Sequence, residues 1–229
     1  MHPQPGSHPA PSPTPQRFGT LAVLGGTGPQ GRGLARRLAG AGLPVVVGSR
    51  EEERAIRVAA ELGVGVRGMA NAGCAAAGDV VIVAVPYAGH TDVLRDLAAA
   101  LAGKVVIDCV NPLGFDSQGA FALDVPEGSA AQQAAALLPD ARVVAAFHHV
   151  SAVLLEDPAV RTLDTDVLVL GDDREATDLV QDLVGLIPGM RGIYAGRLRN
   201  ARQVEAMTAN LIAVNRRYRV HAGLRVTDV

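Results

Sequence analysis

Tryptophan is missing from the 229-residue chain, and aromatic side chains make up only 3 % of it. Platforms that stack sugars or unpaired bases need such rings, so the composition argues against an aromatic-lined carbohydrate or single-strand nucleic-acid surface. Charge of one sign is also scarce. The formal net charge is −2, which leaves no electrostatic footprint for nucleic acid. No apolar run approaches the length of a membrane span, and the first residues carry no apolar core of a signal peptide. Cysteine occurs twice, at Cys74 and Cys109, with no C-x-x-C spacing. The two read as free, buried thiols in a reducing cytoplasm. No metal site is expected, because the adjacent pair His148-His149 has no third ligand at sensible spacing and H-E-x-x-H is absent.

Apolar residues are plentiful, at 48 % and rich in Ala, Val and Leu. That suits close packing of helices on a sheet, and the length suits one domain or one domain with a small addition. Residues 1–18 are Pro-rich and polar, and are expected to be a disordered tail. From there, apolar runs alternate with helical patterns. Strands are expected at Leu21–Leu24, Val45–Val47, Val80–Val85, Lys104–Val110, Arg142–Phe147 and Asp166–Gly171, with a short edge-like strand at Met190–Tyr194. Helical segments lie between them. Residues 111–127 read as a long loop with glycine turns, and the last helix runs from near Leu198 to about Tyr218. Its apolar positions Val204, Met207, Leu211 and Val214 read as one core-facing stripe. The alternation is that of an α/β doubly wound parallel sheet, in which ligands sit beyond the carboxyl ends of the strands.

The most informative stretch is Leu21 to Arg50. An apolar strand runs into Gly26-Thr27-Gly28-Pro29-Gln30-Gly31, which fits G-x-G-x-x-G, and a helix and a second strand follow. In that context the motif binds a dinucleotide. Gly26 is expected to turn the chain at positive φ, Gly28 to admit the pyrophosphate, and Gly31 to let helix and strand pack closely. Pro29 fits the first helical turn, and the N–H groups there face the anion. The second strand ends in Gly48-Ser49-Arg50, with Arg54 one turn on, where an NAD site would carry Asp or Glu. A hydroxyl and two guanidinium groups suit a ribose 2′-phosphate, so NADP(H) is expected over NAD.

Other strand exits supply further candidates. Val85, Pro86 and Tyr87 either border the nicotinamide ribose or are a proline-stopped strand with a surface tyrosine. Asn111 leaves the next strand at the head of the loop. His148 and His149 sit where a strand ends, with rings on opposite faces if the chain is extended, so at most one faces a cleft. His148 is expected to position a cofactor. Ser151 is not expected to be a nucleophile, because nothing resembles G-x-S-x-G. Arginines at 197, 199, 202, 216, 217, 219 and 225 are either a solvated face or a dock for an anionic tail.

Five motifs in order carry a family resemblance over nearly the whole chain: LGGTGPQGRGLARRLA, VVVGSR with Arg54, VIVAVP, Val143–His148 (VVAAFH) and Leu198–Glu205 (LRNARQVE). They resemble the NADPH-dependent reductases of the deazaflavin coenzyme F420. The resemblance implies hydride transfer between nicotinamide C4 and deazaflavin C5. It also implies that Thr27, Pro29 and Gln30 hold the pyrophosphate, and that Ser49, Arg50 and Arg54 hold the 2′-phosphate. His148, Val150, Ser151 and Ala152 would line the contact between the rings. The partners are then small-molecule redox carriers, NADP(H) and coenzyme F420, and family members tend to be homodimers. In this reading residues 19–155 form the NADP-binding Rossmann domain, and residues 156–229 pack on the same core and complete the deazaflavin site. Two other readings stay open from the residues alone: NADPH-dependent reduction of an imine, ketone or flavin, or a non-catalytic NADP-sensing module.

Overall fold

The computed structural model describes residues 15–229. Within them ten strands and eight α-helices alternate along the chain. In order they are β1 (Leu21–Leu24), α1 (Pro29–Gly40), β2 (Val45–Ser49), α2 (Glu52–Leu62), β3 (Val66–Ala70), α3 (Asn71–Ala77), β4 (Val80–Val83), α4 (His90–Leu101) and β5 (Val105–Asp108). Next come β6 (Leu113–Asp116), β7 (Gly119–Ala122), α5 (Ala130–Leu137), β8 (Arg142–Ala145), α6 (Ala152–Glu156), β9 (Thr165–Gly171), α7 (Arg174–Gly185), β10 (Met190–Gly196) and α8 (Ala201–Tyr218).

The main sheet has the order β10-β9-β8-β5-β4-β1-β2-β3. Six strands from β3 across to β8 are parallel, while β9 pairs antiparallel with β8 and parallel with β10. The six-strand part follows the doubly wound order, with its switch point between β1 and β4. Strand residues alternate between two cores. Leu21 and Val23 pack with Leu34 and Leu38 of α1, Ala55 of α2 and Val180 of α7. Ala22 and Leu24 face the other way, onto Cys74 of α3, Leu94 of α4, Ala134 of α5 and Val204 of α8. A strand buried on both faces has no room for polar residues, which explains the unbroken apolar runs.

Three departures from expectation have physical reasons. Pro15–Phe18, inside the expected tail, form a 3-10 turn with Phe18 buried in the first core; residues 1–14 lie outside the described residues. The expected loop after Asn111 contains the β6–β7 hairpin, whose turn is closed by Asp116 Oδ1 accepting from the Gln118 and Gly119 N–H groups at 2.8 and 3.1 Å. Val66–Ala70, a segment too polar and Gly-broken to look like a strand, joins the sheet edge beside β2. There Gly68 is required, because a Cβ would lie 2.3 Å from the Ala55 carbonyl.

Candidate functional site

The turn leaving β1 is made almost wholly of backbone. Gly25 takes φ +72°, and a side chain there would meet the Ala84 carbonyl oxygen at 2.5 Å. Positive φ thus falls at Gly25, one residue before the expected Gly26. Gly26 is required for a different reason: its Cβ would lie 2.7 Å from Val47 Cβ and 2.8 Å from the Val23 carbonyl oxygen. Gly31 packs against the Gly25 and Gly26 backbone, within 2.8 Å of a Cβ built there. Gly28 alone of these has space, its Cβ position meeting only the Gly25 carbonyl oxygen at 3.5 Å. That open space lies at the N-terminus of α1, where Gly28 is the N-cap and Pro29 begins the first turn. The Gln30 and Gly31 N–H groups have no backbone partner among the described residues. Thr27 stands half-buried between the two glycines. An anion fits here, drawn by free donors and the positive end of the helix.

The β2 exit provides the polar end. Ser49 is buried, and its Oγ accepts from the Glu51 N–H at 3.2 Å, which starts the turn into α2. Arg50 and Arg54 are exposed, and among the described residues neither makes an ion pair. Gly48 cannot be larger, because a Cβ would press on Asn71 Oδ1 at 2.8 Å and on Cys74.

At the β5 and β8 exits lies a cleft of about 600 Å³. Gln30, Asn111, His148, His149, Val150, Ser151 and Ala152 all reach it. The β8 exit is unusual, with Phe147 fully buried at φ +64°, a left-handed conformation that costs a bulky residue about 1–3 kcal/mol. Three side chains from distant elements hold it. Gln30 Nε2 donates to the Phe147 carbonyl at 3.2 Å. Asn111 Nδ2 and Thr208 Oγ1 donate to the His148 carbonyl at 2.7 and 3.1 Å. Gln30 thus belongs both to the glycine turn and to the cleft.

The two histidines do not divide between cleft and solvent. Both are buried and both line the cleft. Burial pushes each pKa down to about 4, so both rings are neutral at pH 7. His149 Nε2 accepts from the Leu168 N–H at 3.4 Å, whereas His149 Nδ1 and both His148 ring nitrogens are enclosed without a partner among the described residues. Ser151 Oγ accepts from the Leu154 N–H as the N-cap of α6 and lies 3.4 Å from His221 Nδ1. Pro86 and Tyr87 line an adjacent groove with Leu113, Phe115 and Leu123, and Asn111 belongs to both hollows. Val85 lies in neither; it packs beside Gly25.

The far wall comes from α8 and the segment after it, in the part of the chain expected to complete the second site, although Thr208, Ile212 and Asn215 carried no expectation of their own. Thr208, Leu211, Ile212 and Asn215 line it, with Val220 to Ala222 beyond. The expected core stripe therefore splits: Val204 is buried, Leu211 faces the cleft and Val214 is 37 % exposed. Thr208 and Asn215, polar residues on that same helical face, were the available signal. Asn215 Oδ1 accepts from the Ala222 N–H at 2.6 Å, folding the chain back. The arginines are dispersed: Arg197, Arg202 and Arg225 pair with Asp172, Asp124 and Asp166, while Arg219 lines the cleft. The described residues hold no cluster of three or more His, Cys, Asp or Glu that could bind a metal.

A doubly wound sheet with a glycine turn at its switch point, and a second hollow abutting it, defines a dinucleotide-dependent oxidoreductase. The family model for coenzyme F420-dependent NADP oxidoreductases matches residues 20–112. An F420-dependent NADP reductase of Methanothermobacter marburgensis is 40 % identical over 91 % of this chain and 98 % of its own length. Its counterpart in Methanocaldococcus jannaschii is 36 % identical over the same share of this chain. A solved structure from Arthrobacter sp. FB24, named as a candidate F420-dependent NADP reductase, superposes with a TM-score of 0.79 at 27 % identity, covering 92 % of this chain and 99 % of that one. The chain belongs to the family of F420-dependent NADP reductases.

Proposed function

We propose that the protein transfers a hydride between NADP(H) and coenzyme F420. The observation that carries this is the double role of Gln30, on the helix that opens at the dinucleotide turn and 3.2 Å from the carbonyl at the β8 exit. A nucleotide held at the glycines brings its nicotinamide toward the 600 Å³ cleft, where a second flat ring fits. The bound carriers supply the chemistry, a hydride passing between nicotinamide C4 and deazaflavin C5. The chain supplies position and exclusion of water.

In this reading Gly26, Gly28 and Gly31 shape the pyrophosphate seat, and Thr27, Pro29 and Gln30 line it. Ser49, Arg50 and Arg54 take the 2′-phosphate, with free guanidinium groups as bidentate partners. Pro86, Tyr87 and Asn111 border the nicotinamide ribose; Val85 supports the turn from behind. His148, Val150, Ser151 and Ala152 form the face against the deazaflavin, whose outer edge meets α8. Residues 19–155 act as the nucleotide unit, and residues 156–229 complete the second site. Mixing the protein with NADPH and coenzyme F420 tests the reading: the deazaflavin absorbance falls, and faster with NADPH than with NADH. NADPH binding without any hydride transfer would overturn it.

Two finer points belong to the same reading. A cytoplasmic setting is supported by Cys74 and Cys109 being free, buried thiols. A homodimer is supported by apolar side chains left exposed on and beside the cleft rim, among them Val153, Tyr218 and Val220. Light scattering at assay concentration gives twice the chain mass if this holds.

A further inference from the structure

Behind the cleft floor, polar side chains are enclosed in the second core. His90 opens α4 and Asp108 ends β5, and both side chains have no exposure. His90 Nε2 lies 2.6 Å from Asp108 Oδ2, and His90 Nδ1 lies 3.1 Å from Gln133 Oε1 on α5. The Gln133 amide is oriented by its neighbours: Nε2 donates to Glu127 Oε2 at 3.1 Å, and Oε1 accepts from Thr91 Oγ1 at 3.1 Å. Each ring nitrogen of His90 therefore faces an oxygen, an arrangement that favours a proton on both. That arrangement favours a His90 imidazolium paired with the Asp108 carboxylate. Burial alone would lower its pKa, but the hydrogen bond and charge of Asp108 outweigh it and leave the pKa raised.

Burying an ion pair costs several kcal/mol per ion before the attraction offsets it, and apolar residues would fill such a site more cheaply. The second Asp108 oxygen shows what the pair holds. Oδ1 accepts from the Val110 N–H at 3.0 Å, in the turn that leaves β5. The next residue is Asn111, which grips the His148 carbonyl at 2.7 Å. We propose that the buried His90–Asp108 ion pair is the positioning element of the transfer cleft: it sets the turn leaving β5 so that Asn111 holds the β8 exit in register with the glycine turn. Neither residue reaches the cleft lining, so both are positioning residues.

The charged and titratable groups facing the pair are Glu127 before α5, the Tyr87 ring with its centroid 6.3 Å from that of His90, Glu205 on α8, and, on the Asp108 side, the Cys109 thiol and the His148 ring. Glu205 is itself buried, accepts from the Ala130 and Ala131 N–H groups at 2.9 and 3.1 Å, and is pushed up to about 7 by burial.

The inference rests on the hydride-transfer reading, and its test separates the two. Asp108→Asn and His90→Gln are compared with the parent chain from pH 6 to 9, with NADPH and coenzyme F420 as reactants. Asp108→Asn is expected to lower kcat about tenfold through misplacement of the rings while KM for NADPH stays within about twofold. The alkaline limb of kcat, where His90 loses its proton and the pair is lost, should move to lower pH. His90→Gln keeps a donor to Asp108, so it is expected to recover most of kcat at pH 7 and to lose that alkaline limb. Hydrogen exchange gives a readout free of activity: the Val110 and Asn111 amides should exchange about tenfold faster in Asp108→Asn, with β2 amides unchanged. Unchanged exchange at Val110 and Asn111 in both variants overturns the proposal, as does an unshifted pH profile. If Asp108→Asn does not fold, His90→Gln decides by its pH profile and exchange. An inactive parent chain counts against the hydride-transfer reading, and exchange alone then decides the positioning role.

Discussion

The turn leaving β1 is built from glycines and free backbone N–H groups within seven residues of sequence. The turn leaving β8 is held by Gln30, Asn111 and Thr208, from three elements as far as 117 residues away. One half of the site excludes side chains so that a ligand can touch backbone; the other recruits side chains to hold a left-handed Phe147. Anion binding is a local property that any strand–turn–helix unit can provide. Placing a second ring against the nicotinamide depends on the relative position of β1, β5, β8 and α8, which only the whole fold sets. The first half should therefore fail by single steric insults, and the second by the gradual loss of mutually supporting bonds.

Four measurements bear on that contrast. The largest effect is expected for Gly26→Val, whose Cβ falls 2.7 Å from Val47 Cβ; NADPH affinity should drop by more than about 3 kcal/mol, and the melting temperature with it. Next, Arg50→Ala combined with Arg54→Ala should weaken NADP binding by roughly 2–4 kcal/mol and leave NAD binding and the melting temperature nearly unchanged. Equal losses for the two nucleotides would contradict the 2′-phosphate assignment.

Third, acid should act on the β8 half. His148 and His149 have folded pKa values near 4 against an ordinary value of 6.5. Their stabilising contribution is complete above pH 6.5 and is lost as pH falls toward 4. Denaturant unfolding at pH 4.5 should show a loss on the order of 2 kcal/mol for each histidine relative to pH 7. Glu205, held up near 7, opposes part of that loss. His149→Gln should make the decline shallower; an equally steep decline would count against burial as the cause. The smallest effects belong to Asn111→Ala and Thr208→Val, each removing one of two donors to the same carbonyl. About 0.5–1.5 kcal/mol of stability is expected from either, with the double variant losing more than the sum.

The two halves were also unequally legible. Gly26 to Gly31 and Ser49 to Arg54 could be read as a candidate site because the function proposed for them needs particular residues at fixed local spacing. Even there the reason for Gly26 was misassigned: positive φ sits at Gly25, and the proximity of Val47 across the sheet leaves no mark in the motif. Thr208 and Asn215 looked like ordinary polar positions on an amphipathic helix. Their role depends on long-range placement: β9 runs opposite to β8, and the start of β9 holds the segment after α8, Thr165 Oγ1 accepting from the Leu224 N–H at 3.0 Å. Strand direction is not encoded locally when the connection, residues 146–164, holds only a five-residue helix. The pairing of His90 with Asp108 was hidden likewise, since neither residue belongs to a recognisable pattern and 18 residues separate them.

Arg50 and Arg54 make none of the ion pairs formed among the described residues, whereas Gln30, Arg37 and Asn111 all brace other parts of the chain. On the proposed 2′-phosphate assignment, nucleotide preference sits on the part of the molecule with the fewest structural obligations. Changing which pyridine nucleotide is used should be open to laboratory evolution in one or two steps, with no compensating mutations. Changing the second carrier would require the β8 exit, α8 and the core behind them to be rebuilt together.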